Sequence, residues 1–166
     1  ADTVPSLFPL ILPVGAIMGF LMYNLGVLGN QRTVFLGDNG SNALGFMCAW
    51  ILVYFSSVEN SNFAPVTALW FVAIPFFDAV SVMSSRAIKG IMPLRPGRDH
   101  LHHKLLDMGL SSNAIYVFLI FTSALFAAFG YVFNHSFPES HYISFYAFMI
   151  LWLCYYFLTS YISKNV

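Results

Sequence analysis

Charge is what this sequence has least of. Seven basic and seven acidic side chains among 166 residues make it 8% charged with a formal net charge of zero. A soluble domain carries about a quarter charged residues, so an ordinary water-facing surface and a disordered tail are both excluded. The absence of a basic surplus excludes a nucleic-acid binder. There are two cysteines, Cys48 and Cys154, each inside an apolar run. They can build neither a disulfide framework nor a thiolate metal site. No basic residue precedes Arg32, whereas a secretory signal needs a basic segment before its apolar core. The first apolar run therefore reads as a true span. The chain begins with Ala1 rather than Met, which reads as a fragment or a processed chain. No internal repeat or low-complexity segment is present.

What remains is apolar: 58% hydrophobic, 18% aromatic, with a mean hydropathy of +0.73. About 20 helical residues cross a hydrocarbon core. Five runs approach that length, at 7–28, 43–57, 66–85, 114–133 and 142–163. They are long and unbroken rather than alternating, which favours helices over a barrel. The expected fold is an all-α polytopic bundle, one transmembrane domain over 1–166, with five transmembrane helices. Basic residues orient it. Arg32, Arg86, Lys89, Arg95, Arg98, Lys104 and Lys164 all fall on one side, in loops 29–42 and 86–113 and at the C-terminus. The other side holds Asp2, Glu59 and Glu139 and no Lys or Arg. This places the N-terminus outside and the C-terminus in the cytoplasm.

The two cytoplasmic loops hold most of the polar residues. In the first, Asp38 sits among turn formers, and Ser41 or Asn42 can cap the second span. A helix N-terminus favours phosphate. A carboxylate beside it suits Mg²⁺, which takes one or two protein carboxylates and completes its shell with water and phosphates. Asp38 serving only as a cap or turn residue is the alternative.

The second loop holds five of the seven basic residues and three of the five histidines. Pro96-Gly97 breaks the chain, Asp99 can cap a short helix, and Gly109 can end it. On that helix Leu101, Leu105 and Met108 share one face, and His100 and His103 share another with Asp107 beyond. Arg and Lys suit a diphosphate, and His suits phosphate contact or proton transfer. Positive-inside topology alone accounts for the Lys and Arg but not for His100, His102 and His103. Asp78 lies inside the third span just after Pro75, so it needs a polar cavity or a partner. Asn24 poses the same question near the end of the first span.

The motif Phe35-Leu-Gly-Asp-Asn-Gly-Ser41 resembles the Phe-Met-Gly-Asp-x-Gly-Ser signature of the polyprenyl-phosphate N-acetylhexosamine-1-phosphate transferases. His100-Leu-His-His103 resembles the His motif of the branch that uses UDP-N-acetylglucosamine. Val66-Thr-Ala-Leu-Trp and Ile74-Pro-Phe-Phe-Asp78 are similar to segments of the same branch. The resemblance implies transfer of N-acetylglucosamine 1-phosphate from UDP-N-acetylglucosamine to undecaprenyl phosphate. UMP is released, Mg²⁺ or Mn²⁺ is required, and the product begins O-antigen or other surface polysaccharide at the bacterial inner membrane. It implies Asp38 as the metal-binding aspartate, with His100, His102 and His103 on the nucleotide-sugar diphosphate. Asn24, Arg86, Arg98 and Asp78 match further substrate-binding positions. The lipid bilayer is the remaining partner, and a homo-oligomer is compatible with this. The family's Asp-Asp motif is not in this sequence, and the five runs match its second half, so the chain alone is expected to be inactive. Asn39 and Gly97 also depart from the pattern. A sister transferase acting on UDP-muramoyl-pentapeptide and a His-rich transition-metal transporter are the alternatives. The transferase reading requires the Asp38 and His100 segments to form one anion-gripping pocket.

Overall fold

The computed structural model describes residues 8–24, 34–57, 63–95 and 97–165. Asp2, Arg32, Glu59, Pro96 and the side chain of Lys164 lie outside the described residues, as does the expected outer N-terminus. The chain forms two compact units, 1–61 and 62–166. Every regular element among the described residues is helical.

The first unit pairs α1 (Phe8–Asn24) with α2 (Gly37–Ser57). Helix α2 starts earlier than its sequence suggests. The expected span began at 43, after a loop holding Asp38; instead Asp38 stands in the first turn of α2. Gly37 makes this start possible, because its φ of +67° is a left-handed conformation that a β-carbon strains. Ser41 does not cap; its hydroxyl donates back to the Gly37 carbonyl at 3.0 Å.

The second unit comprises α3 (Pro65–Phe71), α4 (Ala73–Ile88), α5 (Leu101–Asp107), α6 (Ser112–Ser136) and α7 (His141–Asn165). The expected third span, 66–85, is not one helix. It breaks at Val72, and α3 and α4 meet at 83°. Pro75 is the cause. It has no N–H for the Phe71 carbonyl, and its ring would clash there, so it fits only in the first turn of a new helix. Helices α6 and α7 are long and apolar enough to cross a membrane, and the bent pair is a third candidate. Helix α1 is shorter, and α2 opens with six polar or small residues. Val117, Ile120 and Phe121 leave the outer face of α6 bare, as suits a lipid-facing surface.

Trp70 centres the core, 0% exposed, together with Ala73, Phe77 and Phe148. Its indole N–H donates to the Ser144 hydroxyl on α7 at 2.9 Å. Phe129 and Phe148 meet it edge-on at 4.8 and 5.3 Å between centroids. The short α3 thereby wedges into the α6/α7 pair at Gly130, where any β-carbon would run into Trp70. Gly130→Val is expected to destabilise the protein by about 1–3 kcal/mol through overpacking, read as a lowered Tm in detergent. An unchanged Tm contradicts the wedge.

Candidate functional site

The site in the second unit is built around a carboxylate that must be paired. Asp78 sits one turn beyond Pro75 on α4, partly buried. An ionisable group at such depth is costly unless compensated. Three donors from separate parts of the fold compensate it. His100 Nδ1 donates to Oδ2 at 2.8 Å. The Leu101 backbone N–H and the Tyr155 hydroxyl donate to Oδ1 at 2.8 and 3.0 Å.

The Leu101 contact explains the short helix. Asp99 does not cap α5 as the spacing suggested; His100 is the cap residue and makes no side-chain cap. The first amides of a helix need acceptors, and Asp78 supplies one from another helix. Its negative charge also suits the positive end of α5. At the other end Gly109, φ +88°, stops the helix as the sequence predicts. The Gly109 and Leu110 amides close back on the Leu106 and Leu105 carbonyls at 2.8 and 3.2 Å.

Asp99 is engaged elsewhere. Arg86 is 7% exposed, and its Nε donates to Asp99 Oδ2 at 2.8 Å. Nη1 of Arg86 donates to the Pro93 carbonyl at 3.1 Å and to the Arg95 carbonyl. This one guanidinium thus folds the 91–99 loop onto the end of α4. Gly97 lies against it so closely that a β-carbon would strike Nη2, which gives the unusual glycine a physical reason. Arg86 is occupied in building the loop, whereas Arg98 is exposed and its side chain has no partner among the described residues.

The three histidines are brought together. His102 and His103 rings lie 4.1 Å apart, and His100 stacks at 6.0 Å from His102. Because the Nδ1–H of His100 donates to Asp78, Nε2 is left as the outward nitrogen. His103 Nδ1 is buried without a partner. Burial, then the charges of His103 and His100, hold the His102 pKa below its usual value against an opposing pull from Asp78. Lys104 is likewise lowered, first by burial and then by Lys89, against Asp78 and Asp99. Its ammonium donates to the Thr159 carbonyl on α7 at 3.3 Å.

In the first unit Asn24 acts on the backbone. Its Oδ1 accepts the Val34 N–H at 2.7 Å, tying the end of α1 to the segment that leads into α2. Asp38 follows one turn later, exposed and with no hydrogen bond among the described residues. Such a carboxylate can give one ligand to a divalent cation whose remaining ligands are water and phosphate. Among the described residues, no group of three His, Cys, Asp or Glu side chains is placed to hold a metal unaided.

Sequence reasoning missed Tyr155 and the Arg86–Asp99 pair. Tyr155 is 77 residues from Asp78 and is hidden in an aromatic-rich run. No local pattern marks it.

The family model described as glycosyl transferase family 4 matches residues 2–56, which include the Asp38 turn. An undecaprenyl-phosphate alpha-N-acetylglucosaminyl 1-phosphate transferase of Escherichia coli (strain K12) is 36% identical over 152 residues, 92% of this chain and 40% of that protein. Proteins of the same name from Yersinia pestis and Pasteurella multocida (strain Pm70) are 37% and 36% identical over 119 and 141 residues. They are covered over 33% and 39% of their lengths, against 72% and 84% of this chain. The chain thus spans about two fifths of the length of these relatives, 40% for the first. No solved structure matches it.

The histidine cluster has a pH signature. His102 is expected to titrate below 6.5 by NMR. His103→Gln should move its midpoint part of the way back up, since burial, the larger cause, remains. The folded state then binds fewer protons at His102 than the unfolded chain does, so this group withdraws stability as pH falls below about 6.5. A midpoint above 6.5 contradicts the arrangement.

Proposed function

We propose that this chain, whose residues 2–56 match the model of glycosyl transferase family 4, carries the donor-gripping part of a polyprenyl-phosphate sugar-1-phosphate transferase of that family. The donor is UDP-N-acetylglucosamine and the acceptor is undecaprenyl phosphate. An acceptor phosphate oxygen attacks the β-phosphorus, the bond from that phosphorus to the bridging oxygen breaks, and UMP leaves with that oxygen. The product, undecaprenyl-diphospho-N-acetylglucosamine, begins a surface polysaccharide at the cytoplasmic face of the bacterial inner membrane. The gathering of all seven Lys and Arg on one side of the sequence-derived topology supports that face.

Phosphoryl transfer depends on positioning and charge neutralisation more than on protein nucleophiles. The observation that carries the reading is the His100–Asp78 pair at 2.8 Å. It fixes one imidazole tautomer and leaves the Nε2 lone pair to take up a proton, after which the ring can donate to a diphosphate oxygen. Arg98 offers an uncommitted guanidinium fork for phosphate oxygens. Arg86 holds the loop that carries Arg98. Asn24 holds the turn that carries Asp38, and Asp38 would take Mg²⁺ or Mn²⁺. When bound, that cation supplies charge neutralisation on the diphosphate. The muramoyl-pentapeptide and metal-transport alternatives have no such observation in their favour.

The test uses the full-length protein that contains this chain. UMP release should require both lipid phosphate and a divalent cation. Asp38→Asn should lower kcat by about 10²-fold or more, the scale for losing a charge-stabilising group. A variant with near wild-type turnover removes Asp38 from the metal role.

Asp78→Asn and His100→Gln should each lower kcat. The double variant should be little worse than the poorer single one, because the pair acts as a unit. Additive losses would show that Asp78 acts independently of His100.

A further inference from the structure

A cavity with both polar and apolar lining lies apart from the histidines. It encloses about 970 Å³ between the ends of α4, α5 and α7, and none of His100, His102 or His103 lines it. Three observations bear on what it holds.

The first is a buried donor. Ser81, 5% exposed, lines the cavity, and its hydroxyl is buried without any partner. Buried hydroxyls are ordinarily hydrogen-bonded. Ser81, Ser85 and Lys89 follow one another at i, i+4 and i+8, so they form one stripe along α4. Ser160 and Ser163 face the same space from α7.

The second is unbalanced charge. Arg86, Lys89, Arg98 and Lys104 line the cavity against Asp99 and Asp107. Arg86 and Asp99 neutralise each other. That leaves three cations facing one carboxylate, and among the described residues neither the Lys89 nor the Arg98 side chain has a hydrogen bond or ion pair. Lys89 disfavours the charge of Lys104.

The third is the apolar rim. Ile88 and Phe157 line the same cavity and are 77% and 67% exposed. A freely soluble anion gains nothing from such a rim, whereas a lipid-borne one does.

We infer that this cavity binds the phosphate group of an anionic membrane phospholipid, with Lys89, Lys104 and Ser81 on the phosphate and Ile88 and Phe157 against the acyl chains. None of the three histidines lines this site, although Arg98, placed above on the donor phosphates, is on its lining and is left out of the lipid contacts. The inference does not depend on the transferase reading, because its readout is lipid retention rather than turnover.

The experiment places the full-length protein in phosphatidylcholine nanodiscs doped with phosphatidylglycerol. Native mass spectrometry then counts retained lipids. Wild type should hold phosphatidylglycerol in preference to phosphatidylcholine. Lys89→Gln should weaken that preference about fivefold, the scale for one cation near a membrane surface. Lys89→Arg should restore it, an outcome a misfolded variant would not give. Ser81→Ala should also weaken it, and Arg95→Gln, outside the cavity, should leave it unchanged. Equal retention by wild type and Lys89→Gln overturns the site. Displacement of the lipid by millimolar inorganic phosphate, with phosphate alone held as tightly, overturns the lipid assignment and leaves a free-anion site.

Discussion

A carboxylate placed inside an apolar helix cannot stand alone, and most of the second unit is arranged around satisfying Asp78. Its three donors come from the segment before α5, from the first amide of α5, and from α7. None is near it in sequence. Each contact serves both partners. The carboxylate loses its desolvation penalty, α5 gains an acceptor for its first turn, and His100 gains a fixed tautomer. The seven-residue α5 is too short to persist in water by propensity. Its docking against α6 and α7 is therefore tertiary, and the Leu101 N–H bond to Asp78 on α4 is a polar part of what holds it.

The same logic holds the loop between α4 and α5. A stretch whose described residues form no regular structure would ordinarily be a poor platform for chemistry. Arg86 makes it one. A buried guanidinium is tolerated only when its donors are met, and here Asp99 and two loop carbonyls meet them. The loop path is set by the fork geometry of one side chain. Gly97 follows from it, since no larger residue fits beside the guanidinium. Arg98 can be left uncommitted because its neighbours are not.

How much of this was legible in the sequence divides along locality. The helical class, the Asp38 and His100 segments, the Gly109 stop and the need of Asp78 for a partner all follow from short-range pattern or from the cost of a charge in an apolar run. The identity of that partner does not, because Tyr155 and His100 are brought to Asp78 by the packing of α4 against α7. Pro75 is visible in the sequence as a neighbour of Asp78. Its position four residues after Phe71 is what turns one expected span into two helices at 83°. Asp99 was assigned to the nearest helix start on spacing. The buried arginine thirteen residues back offered a stronger bond than an exposed cap. Hydropathy windows average over all three effects.

The break at Val72 connects architecture to chemistry. A straight helix through 66–85 would leave Trp70 on the same rod as Asp78, and the two could not reach separate surfaces. With the bend, Trp70 turns into the α6/α7 pair, where Gly130, Phe129 and Phe148 hold it and Ser144 takes its N–H. Phe77 joins that core within 4.8 Å of Phe148. Helix α4 is thereby anchored at its start by aromatic packing and at its end by Arg86. Asp78 lies between two fixed points, and a group that must orient an imidazole gains from being held at both ends. The proline that interrupts the apolar run is thus part of what makes the carboxylate an effective orienting group.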